Sequence, residues 1–366
     1  MLRFLLLLAS ISLVGCAKLS LDKISKNEKP LRVAWVKNLD PVYNTGNFPI
    51  GTSSPYIYDD MLFMGDLNGY MRAYDLESGR ILWEQNEKQP IQSKVNKLKD
   101  NIFYGSKNGR LFVRNYITGK LVYAIDLGSP IESQPIFAKG RVVIHLRNHT
   151  IICLDASTGK IFWRYQRSVP YTTTLQRVSQ VMPLDNSLIV GFADGNVVSL
   201  SLEEGVLKWE QKISTGVKFI DVDVSPIMFG KYIVVGSASG PMRFLNPLNG
   251  VIEKTLELNQ SHTPLKTKEG IYVGGVFGEI YLVDDYGKIK QRKKISDNGI
   301  SSMIAYKDGL VVSTMGEDIF YVDKKDFSIK HQMKLGSDQS AVFGDIVSNN
   351  GYLGIYSSRN RLYVIK

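Results

Sequence analysis

Apolar runs of strand length recur along the chain, each closed by a glycine, a short polar turn and a second apolar run. A Ser/Thr-Gly-Lys/Arg step, two residues and a Trp then complete the unit. The clearest copy reads Phe63-Met64-Gly65-Asp66-Leu67-Asn68-Gly69, then Met71 to Asp75, then Ser78-Gly79-Arg80-Ile81-Leu82-Trp83. A second has Gly105, Gly109, Asn115 and Thr118-Gly119-Lys120, with Tyr123 in the tryptophan place. A third puts His145 in the glycine place, followed by Asp155, Thr158-Gly159-Lys160 and Trp163, and a fourth has Gly191, Gly195, Gly205 and Trp209. Weaker copies follow at Gly236, Gly240 and Gly250, at Gly274, Gly278 and Gly287, at Ser313 and Asp323, and at Gly354 with Arg361 to Lys366. From Gly65 the equivalent places are Gly105, His145, Gly191, Gly236, Gly274, Ser313 and Gly354, spaced 38 to 46 residues apart.

A glycine-containing turn between two alternating strands makes a hairpin, and the Ser/Thr-Gly step turns the chain again into the next strand. One such sheet cannot bury both of its apolar faces, whereas sheets stacked radially cover each other and leave only short edges. A repeat of about 40 residues is the spacing of propeller blades. The pattern predicts an all-β fold, an eight-bladed β-propeller of four-stranded antiparallel blades over residues 32–366. The eighth copy stops at Leu362-Tyr363-Val364-Ile365-Lys366, before its tryptophan strand, while Leu31-Arg32-Val33-Ala34-Trp35 supplies an orphan strand of that kind. The ring is therefore expected to close through the N-terminal strand. All four tryptophans, Trp35, Trp83, Trp163 and Trp209, then occupy one place of the repeat. A position used so regularly is structural, and each indole is expected to pack between blades with its N–H turned to a partner.

The first residues follow another pattern. Arg3, an apolar run from Phe4 to Val14 and small residues before Cys16 read as a signal peptide over residues 1–15. The run is short for a permanent membrane helix. Leu13-Val14-Gly15-Cys16 resembles the bacterial lipobox, in which cleavage before the cysteine leaves a triacylated N-terminus, so Cys16 is the expected lipidation site. Several acyl chains give stable anchoring where one holds marginally. Ala17 in place of Asp resembles the signal for outer-membrane delivery. Residues 16–31 are polar and aperiodic and read as a flexible tether with an average reach of about 20 Å.

Composition adds little to the fold and more to the exclusions. The chain is 44% hydrophobic and 10% aromatic, ordinary for a folded protein. Its formal charge of +10 is spread along the sequence and comes with no RNA- or DNA-binding motif. A diffuse basic surface fits an anionic membrane or an acidic partner, and no nucleic-acid partner is expected.

Catalytic signatures are missing from the sequence. The Thr-Gly-Lys steps lack the upstream glycine of a phosphate loop and sit at hairpin turns, and there is no His-Glu-x-x-His or Gly-x-Ser-x-Gly. His145, His149, His262 and His331 have no metal-ligand spacing. Once Cys16 carries lipid only Cys153 remains, in the apolar stretch Ile151-Ile152-Cys153-Leu154, so a buried inert thiol is expected. The pairs Asp59-Asp60, Glu203-Glu204 and Asp284-Asp285 read as solvated turns. Asp221-Val222-Asp223 differs, because residues two apart on a strand share a face, which would set two like charges about 6 to 7 Å apart and call for a cation or basic partner. A surface-loop pair is the other reading of the same residues.

The Asp-x-x-Ser/Thr-Gly-Lys/Arg-x-x-Trp units at Asp75 to Trp83 and Asp155 to Trp163 make the chain similar to the quinoprotein-like propellers. One branch, the quinone-dependent dehydrogenases, is longer and uses a vicinal disulfide and calcium ligands that a single core cysteine cannot supply. The lipobox, tether, length and blade count resemble the other branch, the BamB family of outer-membrane β-barrel assembly. That resemblance implies a non-catalytic, cofactor-free scaffold at the periplasmic face of the outer membrane, bound to BamA and the rest of its complex, with unfolded outer-membrane proteins as further partners. Ile220-Asp221-Val222-Asp223-Val224-Ser225-Pro226 resembles the family's aspartate-containing loop, and Thr174-Leu175-Gln176-Arg177 its leucine-arginine loop. The resemblance implies that Leu175, Arg177, Asp221 and Asp223 contact the POTRA domains of BamA. Gln176 between Leu175 and Arg177, and Thr172 to Thr174 where a second leucine is expected, depart from the family's pattern and leave the register of this loop open by a residue. A periplasmic interaction protein of other envelope function, or a quinone-dependent dehydrogenase, are the alternative readings.

Overall fold

The computed structural model describes residues 30–42, 44, 53–169, 178–216, 220–237, 240–336 and 340–366. Every regular element among them is a strand, and the strands form eight four-stranded antiparallel sheets. Blade 1 comprises Tyr56–Tyr58, Met61–Gly65, Tyr70–Asp75 and Ile81–Asn86, in that spatial order. Blades 2 to 7 repeat it, opening at Asn96–Leu98, Ile136–Ala138, Met182–Leu184, Ile227–Phe229, Leu265–Lys266 and Ile300–Tyr306. The opening strands of neighbouring blades approach one another, which places them around the central axis. The chain is an eight-bladed β-propeller.

Blade 8 contains Val347–Asn349, Tyr352–Tyr356 and Arg361–Ile365, and its outer strand is Val33–Asn38 from the other end of the chain. Val33 pairs with Ile365 and Asn38 with Arg361, and the Arg32 and Lys366 backbones exchange hydrogen bonds at 3.0 and 2.8 Å. Leu31, the last residue of the expected tether, is buried in the core between blades 7 and 8. One repeat place needs correction. Gly65 pairs with Met71, and the residue paired in the same way in blade 8 is Tyr356, opposite Leu362, not Gly354. Gly354 sits mid-strand against Pro55, so its role differs from that of the strand-end glycines.

Alternation along each strand explains the stacking. In Met61–Gly65, Leu62 and Met64 join the core shared with blade 8, whereas Phe63 joins the core shared with blade 2. Both faces are apolar because both are covered. The buried apolar residues accordingly fall into eight clusters, one per interface between consecutive blades.

The tryptophans act at these same interfaces. Trp83 Nε1–H donates to the Tyr116 carbonyl of the next blade at 2.9 Å, and Trp163 and Trp209 donate likewise to Leu202 and Pro247 at 3.0 and 3.1 Å. Tyr123 substitutes its hydroxyl, which donates to Ala156 at 3.1 Å. Each ring covers the turn glycine of the neighbouring blade, Gly119, Gly159, Gly205 or Gly250. A Cβ on Gly119 would lie 2.8 Å from Trp83, and its φ of +68° already favours glycine. The side chain that opens the turn fixes its geometry, since Asp75, Asn115 and Asp155 accept the Ser78, Thr118 and Thr158 N–H groups at 2.8, 2.9 and 2.8 Å.

Candidate partner-binding site at the channel mouth

Before its first strand, each blade lays a lead-in segment against the preceding blade. Ile91, Ile131 and Val222 on these segments, and Ile300 at the very start of blade 7, press on Gly65, Gly105, Gly191 and Gly274, where an added Cβ would come within 2.3 to 2.6 Å of them. Their N–H groups bond to carbonyls of the preceding blade, as Val222 does to Phe192 at 3.1 Å. This explains why the second strand ends in glycine.

Polar side chains on the lead-in segments link all eight blades around the axis. The backbone N–H of Gln134 donates to the Gln180 side chain, that of Gln180 to Ser225 Oγ and that of Ser225 to Thr263 Oγ1, at 2.8, 3.2 and 3.3 Å. Asp345 N–H reaches Ser54 Oγ, and Ile346 N–H reaches Ser302 Oγ, at 2.7 and 3.0 Å. Ser53 to Ser93, Gln134 to Val95 and Ser261 to Ile300 complete the circle. The ring also has a signature in the sequence. A serine stands twelve residues before Gly65, Gly105, His145, Gly191 and Ser313, at Ser53, Ser93, Ser133, Ser179 and Ser301. Ser93 Oγ accepts from the Gly105 N–H at 2.6 Å, and Ser133 Oγ from the His145 N–H at 3.2 Å.

This ring surrounds a cavity of about 500 Å³ at the channel mouth. Gln92, Glu132, Val178, Asp223, Ser261 and Phe343, each four residues before a first strand, line it. Its charges are mixed. Arg147 Nη1 bonds Glu132 at 3.0 Å, and Lys94 pairs with Asp345. Burial pushes the Glu132 carboxyl above the usual carboxylate range, with Arg147 opposing the shift.

Asp223 is thus placed on a polar, concave surface. The strand expected to carry it together with Asp221 is not formed. Residues 220–226 are irregular, because Pro226 has no N–H for a ladder and the Val222 and Ser225 N–H groups bond to Phe192 and Thr263 instead. Asp221 is 1% exposed, which removes the surface-loop reading for that residue. Cys16, Leu175 and Arg177 lie outside the described residues.

Two other buried polar clusters pair within the fold. His145 and His149 have ring centroids 5.6 Å apart and pack on Phe192, and burial pushes His145 down to about 3. Arg114 bonds Glu87 through Nε and Nη2 at 2.7 and 3.1 Å, with the Tyr104 hydroxyl 3.0 Å from Nε. Among the described residues, no three His, Cys, Asp or Glu side chains lie together as a metal site would need. Cys153 is fully buried within its strand, and burial raises its thiol. A quinone site built on adjacent cysteines and calcium-binding carboxylates does not fit these residues.

The sequence model of the family described as "Outer membrane protein assembly factor BamB" matches residues 67–246, which span both the Leu175 and the Asp223 segments. A protein of that description from Kangiella koreensis is 40% identical over 237 residues, 63% of this chain and 61% of its own length. Its counterpart in Shewanella oneidensis is 22% identical over 211 residues, covering 56% of this chain and 53% of that protein. The matched stretches therefore span less than two thirds of these relatives. The crystal structure of BamB from Moraxella catarrhalis superposes with a TM-score of 0.77 at 18% identity, covering 92% of this chain and 99% of that one. A europium-containing methanol dehydrogenase superposes at 0.74 with 12% identity over 93% of this chain and 94% of that one, a likeness of fold alone. With its eight blades and this match in sequence over residues 67–246, the chain is similar to the BamB family.

Proposed function

We propose that this protein is a non-catalytic scaffold of outer-membrane protein assembly, anchored by lipid on Cys16 at the periplasmic face and docked on the POTRA domains of BamA. The observation that carries this reading is the family match over residues 67–246, because it takes in the channel-mouth segment where Asp223 is presented. An acidic side chain at the rim of a rigid ring suits a basic partner group, and a preorganised ring loses little entropy on binding. Leu175 would serve as an apolar anchor and Arg177 as a donor to carboxylate or carbonyl groups.

The test is co-purification of BamA from solubilised membranes with an Asp223→Arg variant. A loss of about tenfold or more in recovered BamA is expected, with an unchanged thermal transition. Full recovery would remove Asp223 from the interface. Globomycin should cause uncut precursor to accumulate, and normal processing in its presence would exclude lipidation at Cys16.

A further inference from the structure

The outer strand of every blade carries a β-bulge at one place, immediately before the tryptophan position. In blade 1, Trp83 pairs with Ala73 and Ile81 with Tyr74, which leaves Leu82 as the extra residue. The same shift occurs in the other seven blades. A bulged residue has no partner across the ladder, and in this ring all of them but Ala34 are exposed.

What stands at the bulge divides the ring in two. It is Ala34, Leu82, Val122 and Phe162 in the consecutive blades 8, 1, 2 and 3, but Lys208, Glu253, Lys290 and Lys330 in blades 4 to 7. Leu82, Val122 and Phe162 are 42%, 49% and 45% exposed, and the residues before the first two, Ile81 and Leu121, are 47% and 52% exposed. On the apolar half a cation precedes each pair, at Arg32, Arg80, Lys120 and Lys160, all exposed. The Arg141 guanidinium also lies 4.4 Å over the Phe162 ring. Residues 1–29 join this half, because Pro30 leads directly into blade 8.

We infer that the outer rim of blades 8, 1, 2 and 3 is a contact surface for an anionic phospholipid layer. Apolar side chains that leave an edge in pairs, each flanked by a cation, match the boundary between headgroups and acyl chains. On the opposite rim Leu207 and Ile329 are also 42% and 43% exposed, but a charged side chain follows each of them at the bulge, so no apolar pair forms there and that rim stays in water. The inference rests on the lipid anchor proposed above, since a tether entering at blade 8 presents this rim first.

The test uses the full lipidated protein in vesicles of phosphatidylethanolamine and phosphatidylglycerol with brominated acyl chains. A fluorophore is placed through Val122→Cys or, on the opposite rim, Lys290→Cys; Cys153 is buried and stays unlabelled. Quenching is expected at position 122 and not at 290. Each cation removed in Arg80→Ser, Lys120→Ser and Lys160→Ser should lower the docked-to-undocked ratio about fivefold. Equal quenching at both positions, or none at 122, overturns the inference. So does a spectral shift at 122 that needs added assembly proteins, which would make the rim a protein-docking surface. Co-flotation with vesicles reports the anchor, and BamA recovery reports the scaffold reading, so failures of the three are distinguishable.

Discussion

The indole Nε1–H of Trp35 donates to the carbonyl oxygen of Leu76 at 2.9 Å, joining the outer strand of the last blade to a turn of the first. The Trp35 ring also covers Gly79, where a Cβ would lie 2.7 Å away. One side chain therefore ties the closing strand, already paired with Arg361–Ile365, to the blade beyond it.

Trp35→Ala should cost about 3 kcal/mol, seen as a lower urea midpoint. Deleting residues 31–36 removes four of the six residues of the outer strand of blade 8, Trp35 among them, and should abolish the cooperative transition in calorimetry. A cooperative transition of normal height would refute closure through this strand.

Gly105→Ala tests the approach of the lead-in segments, because its Cβ would lie 2.3 Å from Ile131. Overpacking of this kind costs about 1 to 3 kcal/mol. Combining it with Ile131→Ala should give a loss smaller than the sum of the two single losses, measured as a coupling energy by denaturant titration.

The Glu87 and Arg114 side chains are almost wholly buried against each other, at 4% and 10% exposure. Glu87→Ala leaves a guanidinium without its carboxylate and should destabilise by about 3 kcal/mol, whereas an apolar replacement of both should recover much of that loss. Equal losses for the single and double variants in chemical denaturation would count against the pairing.

Acid should weaken the fold through His145 and His149. Burial lowers both, His145 from 6.5 to about 3. Between those values the unfolded chain binds the proton that the folded chain refuses. Stability is therefore complete above about pH 6.5 and falls as pH decreases, by about 1.4 kcal/mol per unit for His145 alone. A His145→Gln variant should show a shallower dependence of urea midpoint on pH between 7 and 5, and an unchanged slope would exclude this histidine as the source.

The second, third and fourth strands of each blade were legible because their apolar runs and Gly steps are long and repetitive. The opening strands were not: Asn96–Leu98 has three half-buried residues of mixed polarity, too few to set a period. The last repeat slipped by two residues because Tyr356 replaces the expected glycine and Gly354 lies nearby. The hydrogen-bonded ring went unread since its members, Gln134, Gln180, Ser225 and Thr263, share a position and not a residue type. Asp221 and Asp223 drew notice as a charge pair, but strand geometry misplaced them because Pro226 and the bonds to Phe192 and Thr263 hold that segment irregular.

Pairing Val33 with Ile365 also imposes an order in time. Blades 1 to 7 are each continuous in sequence, so their mutual interfaces can form as soon as neighbours exist, as in other arrays of repeats. Blade 8 must wait until the last strand arrives to meet the first, across nearly the whole chain. A polypeptide leaving a membrane N-terminus first would hold its opening strand unpaired until export ends. The topology thereby delays the final cooperative lock until the last residues of the chain are free to fold.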